Sequence, residues 1–428
     1  MPSTSFVLSQ WLRNLTNRQP EAAELLRRSP GEQQVLGYYH TLREICQQPA
    51  SWISTSQQMC RMISPLRLCV RDAQSLVLTG SGSSEYAGDC VRLVLQDELG
   101  VTTQAIGGGV LLTHGVKALP PPRPGLIVSL ARSGDSPESV GALSLLLEVE
   151  PKLRHLILTC NAKGKLAESF SDDPRVHVIA LDDGTNDRSL VMTSSFTNLV
   201  LAARILGLLD APERYEALSH SLSRTAAKVV ETYFGTVARV AALEFKRAVF
   251  LGSGSRFGSA RESALKMLEM TAGRVTTICE SYLGLRHGPM SYVHNDTLVV
   301  CFLSSGHTLR AYECDLLREL DQKGLGLVKL VVGENIPRDI LRDQDIAIDC
   351  PGLAEIGDEN APLIDVLIGQ LLGFFCSMHE GLRPDSPSED GVINRVVQGF
   401  TLHVHGNSAA EVDADAPARP QPTGGENH

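Results

Sequence analysis

Short apolar runs alternate with helix-type patterns from about residue 75 onward. The runs at 76–78, 126–128 and 156–158 consist mostly of Leu, Ile and Val, and segments 86–99 and 139–149 between them carry apolar residues at helical spacing. Continuous apolar strands that alternate with helices are typical of a parallel sheet covered on both faces. The pattern therefore predicts a doubly wound α/β fold.

The same pattern occurs twice. Gly80-Ser81-Gly82 follows the first strand of one half, and Gly252-Ser253-Gly254 follows an apolar run 172 positions later (252 minus 80). The offset also relates Ser133-Gly134 to Ser305-Gly306 (305 minus 133). A period of this length indicates that one whole domain has been duplicated, so we expect two similar α/β domains in tandem.

Composition shifts and apolar spacing divide the chain into five parts. Residues 1–72 have helical spacing with breaks at Pro30 and Pro49. The expected parts are a helical lead-in at 1–72, a first domain at 73–210, a helical bridge at 211–241, a second domain at 242–407 and a disordered tail at 408–428.

Charge and composition narrow the function classes. The net charge is -10 with no basic stripe, which argues against a nucleic-acid partner. The ten cysteines form no C-x-x-C pair, so free thiols in a reducing cytoplasm are expected. No signal peptide and no apolar run of membrane-spanning length is apparent, and His403 and His405 lack a third ligand, so neither a membrane nor a metal partner is predicted.

Two loops carry the candidate binding chemistry. The segment 80–84 reads Gly-Ser-Gly-Ser-Ser between a strand and a helix, which leaves free backbone N–H groups and hydroxyls for an anion. A second loop, 131–136, ends the next strand of the same half, so both are expected at one crevice. Because no nucleotide-binding signature is present, a small phosphorylated metabolite is favoured over a nucleotide.

These loops resemble a known family. The segments 80–84, 133–136 and 193–195 are similar to the three loops of a sugar isomerase (SIS) domain, a module that holds phosphosugars. The similarity spans roughly residues 70–405 as two tandem SIS domains of flavodoxin-like topology, as in the isomerase half of glutamine:fructose-6-phosphate amidotransferase. The resemblance implies that the sugar phosphate contacts Gly82, Ser83, Ser84, Arg132, Ser133 and Ser136.

One helix in the second half carries two glutamates on one face. Glu262 and Glu269 lie seven residues apart, about 10 Å along a helix. We interpret Glu262 as part of a solvated stripe, paired with Lys266 at i, i+4. The segment E-S-A-L-K-M-L-E resembles the amidotransferase helix that ends in the isomerase base, which implies that role for Glu269. His287, in a loop two residues shorter than the similar His-Gly-Pro loop of that family, is implied to open the sugar ring.

The implied chemistry matches these residue types. A group that titrates near neutrality can move a proton from the anomeric hydroxyl to the ring oxygen of a hexose 6-phosphate. In the open form a carboxylate can take the C2 proton and return it at C1. With an amine at C2 the product is a ketimine, which water converts to ammonia and a ketose phosphate. No metal or organic cofactor is expected.

Two further segments resemble a narrower branch of the family. Residues 41–52 and 385–399 are similar to AgaS-type galactosamine-6-phosphate deaminase/isomerases, also called tagatose-6-phosphate ketose/aldose isomerases. Gln398 stands where the amidotransferase has a lysine, and Arg395 is either a phosphate or carbonyl contact or a surface arginine. The chain also lacks the Cys that follows Met1 in a glutaminase domain, which favours the deaminating direction.

The expected reaction is conversion of galactosamine 6-phosphate to tagatose 6-phosphate and ammonia. A plain aldose/ketose 6-phosphate isomerase remains open, because the same Glu and His would serve it. A phosphosugar-sensing regulator is the alternative of another class, although residues 1–72 carry no DNA-binding pattern. The resemblance further implies a homodimer or homotetramer in which the ring-opening His can come from the neighbouring subunit.

Overall fold

The structure is a computed structural model that describes residues 4–388, 391–397 and 399–403. Five helices precede a first five-stranded parallel sheet, a long helix follows, and a second five-stranded parallel sheet completes the fold. The α-helices are α1 Thr4–Arg18, α2 Pro20–Leu26, α3 Pro30–Leu36, α4 Tyr39–Arg61, α5 Ile63–Val70, α6 Ser83–Leu99, α7 Gly108–His114, α8 Pro137–Val149, α9 Lys165–Phe170, α10 Ser194–Arg204, α11 Pro212–Ala241, α12 Ser255–Met270, α13 Tyr282–Leu285, α14 His307–Gln322, α15 Leu353–Ile356 and α16 Pro362–His379. The strands are β1 Ser75–Gly80, β2 Thr102–Gly107, β3 Gly125–Ala131, β4 Arg154–Thr159, β5 Val176–Ala180, β6 Arg247–Leu251, β7 Thr276–Glu280, β8 Thr297–Phe302, β9 Val328–Gly333 and β10 Ile346–Asp349.

Both sheets have the same topology. The strand order is β2-β1-β3-β4-β5 in the first and β7-β6-β8-β9-β10 in the second, with every pair parallel. This is the flavodoxin-like order, in which ligands bind where the order reverses, beyond β1 and β3 or beyond β6 and β8. The prediction of two doubly wound domains with a helical N-terminal segment is confirmed. The edge strands β2 and β7 were not predicted, because half-exposed polar residues interrupt their apolar pattern.

The two halves meet through their equivalent helices. Helices α6 and α12 each begin at a Gly/Ser loop, and they pack against one another. Asp89 on α6 and Arg261 on α12 hold equivalent positions in the repeat (261 minus 89 is 172) and form an ion pair across the contact. The Arg261 guanidinium also lies 4.0 Å from the centre of the Tyr86 ring. Side chains in the first turns of α6 and α12 therefore lie near the boundary between the two halves.

The predicted break at Pro49 is wrong. Helix α4 continues through Pro49, which is buried. A proline inside a helix leaves the carbonyl four residues earlier without its usual N–H donor. Here Gln48 Nε2 donates to the carbonyl of Ile45 at 3.0 Å, which replaces the missing donor. Helix α4 thus stays intact over 23 residues and packs against α10 and α11.

Helix α16 is the core helix of the second half. It is long and apolar enough to cross a membrane by length and composition, but 89% of it is buried inside the protein. It packs on α12 and α11, and Asp365 within it pairs with Arg256 at 2.6 Å, both side chains having no exposed surface. A fully buried guanidinium is retained only when such a partner meets it. The predicted tail at 408–428 lies outside the described residues.

Candidate active site

A cavity of about 140 Å³ lies beyond the carboxyl ends of β1 and β3. This is the position where the order of the first sheet reverses, as the topology requires for a ligand site. Its polar lining residues are Ser81, Ser84, Arg132, Ser133, Ser136, Ser139, Asn394 and Arg395. Five of the predicted contacts are therefore brought together here, including Arg395 from a distant part of the chain.

The two arginines of the cavity are anchored by main-chain carbonyls. Arg132 is 8% exposed and donates to the carbonyls of Leu190 at 2.8 Å and Arg395 at 3.1 Å. Arg395 Nη2 donates to Asn186 Oδ1 at 2.7 Å and to the Asp187 carbonyl at 2.5 Å. Burial lowers the pKa of Arg132, and the charge of Asp187 opposes that effect. Neutral acceptors hold these guanidinium groups in place while leaving their charge available to an anion.

Gly82 and Ser83 act beside the cavity rather than in its lining. Gly82 has φ +58° and ψ -125° at the start of α6, a conformation that favours glycine. The hydroxyl of Ser83 accepts a hydrogen bond from Lys266 Nζ at 3.0 Å, so it faces the second half of the chain. Ser84, the next residue, lines the cavity. The first turn of α6 therefore joins the cavity to helix α12.

Lys266 lies at the centre of a charged cluster on α12. Its ammonium contacts the Glu269 carboxylate and lies 3.4 Å from Glu262 Oε1. Lys266 and Glu262 are fully buried, whereas the Glu269 side chain is 24% exposed. The interpretation of Glu262 as a solvated residue is therefore wrong, because α6 covers this face of α12, although its pairing with Lys266 is present. The charge of Glu269 also acts on Arg132, so the cluster lies close to the cavity.

One ammonium cannot fully compensate two carboxylates. Burial raises the pKa of Glu262 to about 8; Lys266 opposes this, and the charge of Glu269 adds to it. Burial lowers the pKa of Lys266, but the two carboxylates outweigh this and raise it overall. The arrangement favours an ammonium bound to the Glu269 carboxylate beside a protonated Glu262. Lys266 thereby fixes the direction of Glu269.

The third predicted loop binds an internal carboxylate. Asp187, 1% exposed, accepts hydrogen bonds from the backbone N–H groups of Thr193, Ser194 and Ser195, at 2.7, 3.1 and 2.9 Å. These amides open helix α10, where a carboxylate is favourable. The N–H groups of this loop are therefore satisfied from within the chain.

The equivalent loops of the second half are also filled by the protein itself. Asp358 accepts hydrogen bonds from the N–H groups of Ser305 at 2.7 Å and Gly306 at 3.0 Å, the counterparts of Ser133 and Gly134. Arg256, at the position equivalent to Ser84 (256 minus 84 is 172), lies 3.6 Å from Asp358. Gly254 has φ +57° and ψ -128°, nearly the conformation of Gly82. The same backbone loop is thus open in one half and occupied in the other.

His287 is not brought to the cavity. His287 is exposed in the turn after α13 and is not among the lining residues. Gln398 lies outside the described residues.

Comparisons with known proteins agree with this architecture. The SIS domain model matches residues 243–372. The D-galactosamine-6-phosphate deaminase AgaS of Escherichia coli O157:H7 is 33% identical over 370 residues, which cover 85% of this chain and 95% of that protein. A Streptomyces coelicolor protein that carries the same name provisionally is 38% identical over 377 residues, with the same coverage. The chain belongs to the AgaS galactosamine-6-phosphate deaminase family. Among solved structures, tagatose-6-phosphate ketose/aldose isomerase from Escherichia coli matches with a TM-score of 0.77 and 30% identity, over 85% of this chain and 96% of that one.

In this AgaS family member, sequence reasoning missed the buried lysine of the cluster. Lys266 lies inside the E-S-A-L-K-M-L-E segment, but it was interpreted only as a surface partner of Glu262. The signal that could have found it is its spacing, because Lys266 lies four residues after Glu262 and three before Glu269, so one ammonium can meet both carboxylates. Glu44 and Asp187 were missed as well, because their partners are backbone amides, which leave no sequence pattern.

We expect Asp358→Ala to open a second anion site. Removing the carboxylate leaves the Ser305 and Gly306 amides without their anion, while Arg256 keeps its pair with Asp365, so inorganic phosphate should bind at these amides in addition to the first cavity. A phosphorus NMR titration should give one phosphate per wild-type chain and two per variant chain. Asp349→Ala, which removes a carboxylate that caps the Asn335 amide, is the control. One phosphate per chain in both variants would contradict this interpretation.

The raised pKa of Glu262 predicts a pH-dependent stability difference. The folded protein holds this proton more tightly than the unfolded chain, so the stability contribution is complete below pH 4.5 and is lost as the pH rises through about 8. Glu262→Gln stays neutral throughout. Its free energy of unfolding relative to wild type should therefore rise by more than about 1 kcal/mol between pH 5 and 8 in urea titrations. Val35→Ala, which removes no titratable group and is 70% exposed, should give a constant difference. A constant difference for Glu262→Gln would disprove the assigned pKa.

Proposed function

We propose that the protein converts D-galactosamine 6-phosphate to D-tagatose 6-phosphate and ammonia. The observation that carries the proposal is the contact of Lys266 with both Glu269 and Ser83, one residue from the cavity lined by Ser84 and Arg132. This arrangement puts a carboxylate of defined direction next to an arginine- and serine-lined anion site. Membership in the AgaS family, whose relatives are named for this deamination, supports the choice of substrate.

In the proposed complex the phosphate occupies the cavity. Ser84, Ser133 and Ser136 supply hydroxyls, and Arg132 and Arg395 supply positive charge. A cavity of about 140 Å³ suits the phosphate end, so the sugar extends along the first turn of α6 towards Glu269. Binding energy at the phosphate then holds C1 and C2 beside the base.

Catalysis follows from the residues near the sugar. His287 moves the proton from the anomeric hydroxyl to the ring oxygen and opens the ring. Glu269 takes the proton from C2 of the open-chain 2-amino aldehyde and returns it at C1, while one proton passes from the C2 amine to the C1 oxygen, which leaves a ketimine at C2 and a hydroxyl at C1. Water adds to the ketimine carbon, the C–N bond breaks, and ammonia leaves as tagatose 6-phosphate forms. Lys266 keeps the Glu269 carboxylate pointed at the substrate throughout.

Ammonia and ketose-phosphate release from galactosamine 6-phosphate and glucosamine 6-phosphate tests the function directly. Wild type should release both products from galactosamine 6-phosphate. Glu269→Gln should lose at least about 100-fold in kcat, since an amide cannot accept the proton. Glu24→Gln is the matched control, because Glu24 is exposed in the N-terminal helices. Isomerisation of a hexose 6-phosphate without ammonia release from either amino sugar would favour the plain isomerase. Binding without any turnover would favour the sensor.

The exposure of His287 predicts a site shared between subunits. Its position outside the cavity lining supports a homo-oligomer in which His287 reaches a neighbouring subunit's site. Glu269→Gln and His287→Ala chains, each inactive alone, should regain about a quarter of wild-type activity when mixed equally, since half of the dimers would then carry one intact site. Purified mixed dimers without activity would contradict a shared site.

A further inference from the structure

The two segments that mark the narrower family branch meet in the structure. Asp385 begins the second segment, and its carboxylate accepts hydrogen bonds from the N–H groups of His40 at 3.1 Å and Thr41 at 2.7 Å. The Thr41 hydroxyl donates to the same carboxylate at 2.8 Å. The Asp385 carbonyl in turn accepts the N–H of Leu190 at 3.0 Å. The start of α4 and the C-terminal segment thus clasp the loop at 186–191 from one side.

Glu44, one turn along α4, holds the same loop. Its Oε1 accepts the N–H groups of Arg188 at 2.6 Å and Ser189 at 3.3 Å, and its Oε2 contacts the Ser189 hydroxyl. Glu44 is 6% exposed, and burial, together with the charge of Asp187, raises its pKa to about 8. The proposed mechanism gives this buried carboxyl no role. Burying a carboxyl group costs free energy unless hydrogen bonds compensate it. For Glu44 these bonds come from the backbone N–H groups of Arg188 and Ser189, so its burial is tied to the position of that backbone.

The carbonyls of the same peptide units accept hydrogen bonds from the two arginines that line the cavity. The peptide between Asp187 and Arg188 gives its N–H to Glu44 and its carbonyl to Arg395. The peptide between Ser189 and Leu190 gives its N–H to the Asp385 carbonyl, and its own carbonyl lies 3.4 Å from Arg132 Nη1, which also bonds to the Leu190 carbonyl at 2.8 Å. A trans peptide is planar, with N–H and C=O pointing in opposite directions, so fixing one group fixes the other. Through these peptides, Glu44 therefore fixes the carbonyl that holds Arg395. The Asp385 carbonyl likewise fixes the carbonyl that contacts Arg132.

We propose that Glu44 and Asp385 are positioning residues for the phosphate-binding arginines and act through these two peptide units. The helical segment that precedes the first sheet is then part of the binding site, although none of its side chains lines the cavity. The proposal rests on the phosphate occupying that cavity. It predicts a defect in substrate affinity with little change in the chemical step.

The experiment compares Glu44→Ala with Glu44→Gln. The alanine variant should raise KM for galactosamine 6-phosphate, and the Kd for inorganic phosphate, about tenfold, with kcat within about twofold of wild type. The glutamine variant keeps an oxygen acceptor for the Arg188 N–H and should restore most of the affinity. Gln47→Ala is the matched control, because Gln47 lies on the same helix and donates to the Gly184 carbonyl on the neighbouring turn at 2.7 Å.

A double-variant test separates positioning from general stability. In an Arg395→Ala background, Glu44→Ala should cause little further loss of phosphate affinity, since the arginine that it positions is already absent. A full additional tenfold loss would overturn the proposal, as would unchanged phosphate affinity in folded Glu44→Ala. If Glu44→Ala does not fold, Asp385→Asn and Thr41→Val carry the same comparison through Arg132.

Phosphate affinity also keeps this proposal distinct from the proposed function. Inorganic phosphate has no C2 proton, so its Kd, measured by calorimetry, reports the arginines without any turnover. A chain that binds phosphate and responds to Glu44→Ala but releases no ammonia would uphold the positioning role and refute the deaminase. A chain that releases ammonia but whose phosphate affinity ignores Glu44 would do the reverse.

Discussion

The buried ammonium of Lys266 constrains the rest of the site. A charge without solvent must find partners, and here they come from its own helix and from Ser83 on the other half of the chain. That requirement holds α12 against α6. One face of α12, in the second half, therefore lies beside the cavity of the first half. The same ammonium sets the direction of Glu269, whereas burial and the charge of Glu269 leave Glu262 as the neutral member of the cluster.

The duplication explains why both halves contain the same Gly/Ser backbone loop, although the two loops have different surroundings. Both sheets present a Gly/Ser loop of the same backbone conformation at their switch point, with Gly82 and Gly254 at almost equal dihedral angles. In the second half Arg256, Asp358 and Asp365 fill that position with an internal ion network. The first half thus keeps an open cavity at this position, and the second half carries the glutamate and lysine of the charged cluster.

The N-terminal helices hold other segments in position rather than lining the cavity themselves. Helix α4 presents buried polar side chains to α10 and α16, with Gln48 donating to Gln370 and Trp52 donating to Thr197. Such a satisfied polar interface specifies one arrangement of the helices more strictly than apolar packing alone. The loop at 186–191 is held on that interface and has little conformational freedom. Its carbonyls can therefore hold the two positively charged side chains, Arg132 and Arg395, close together.

Local sequence determined the strands other than β2 and β7, their alternation with helices, the duplication and the Gly/Ser loops that follow β1 and β6, because apolar periodicity and glycine positions act over a few residues. It also located Glu269 and His287 through a resemblance to a known family. Tertiary structure alone decided which of the two loops stays open, that α6 buries Glu262 and Lys266, and that helix α4 passes through Pro49. It also decided that Asp385 meets Thr41, residues 344 positions apart. These features depend on side chains meeting unpatterned backbone groups across long separations, and no local periodicity encodes such meetings.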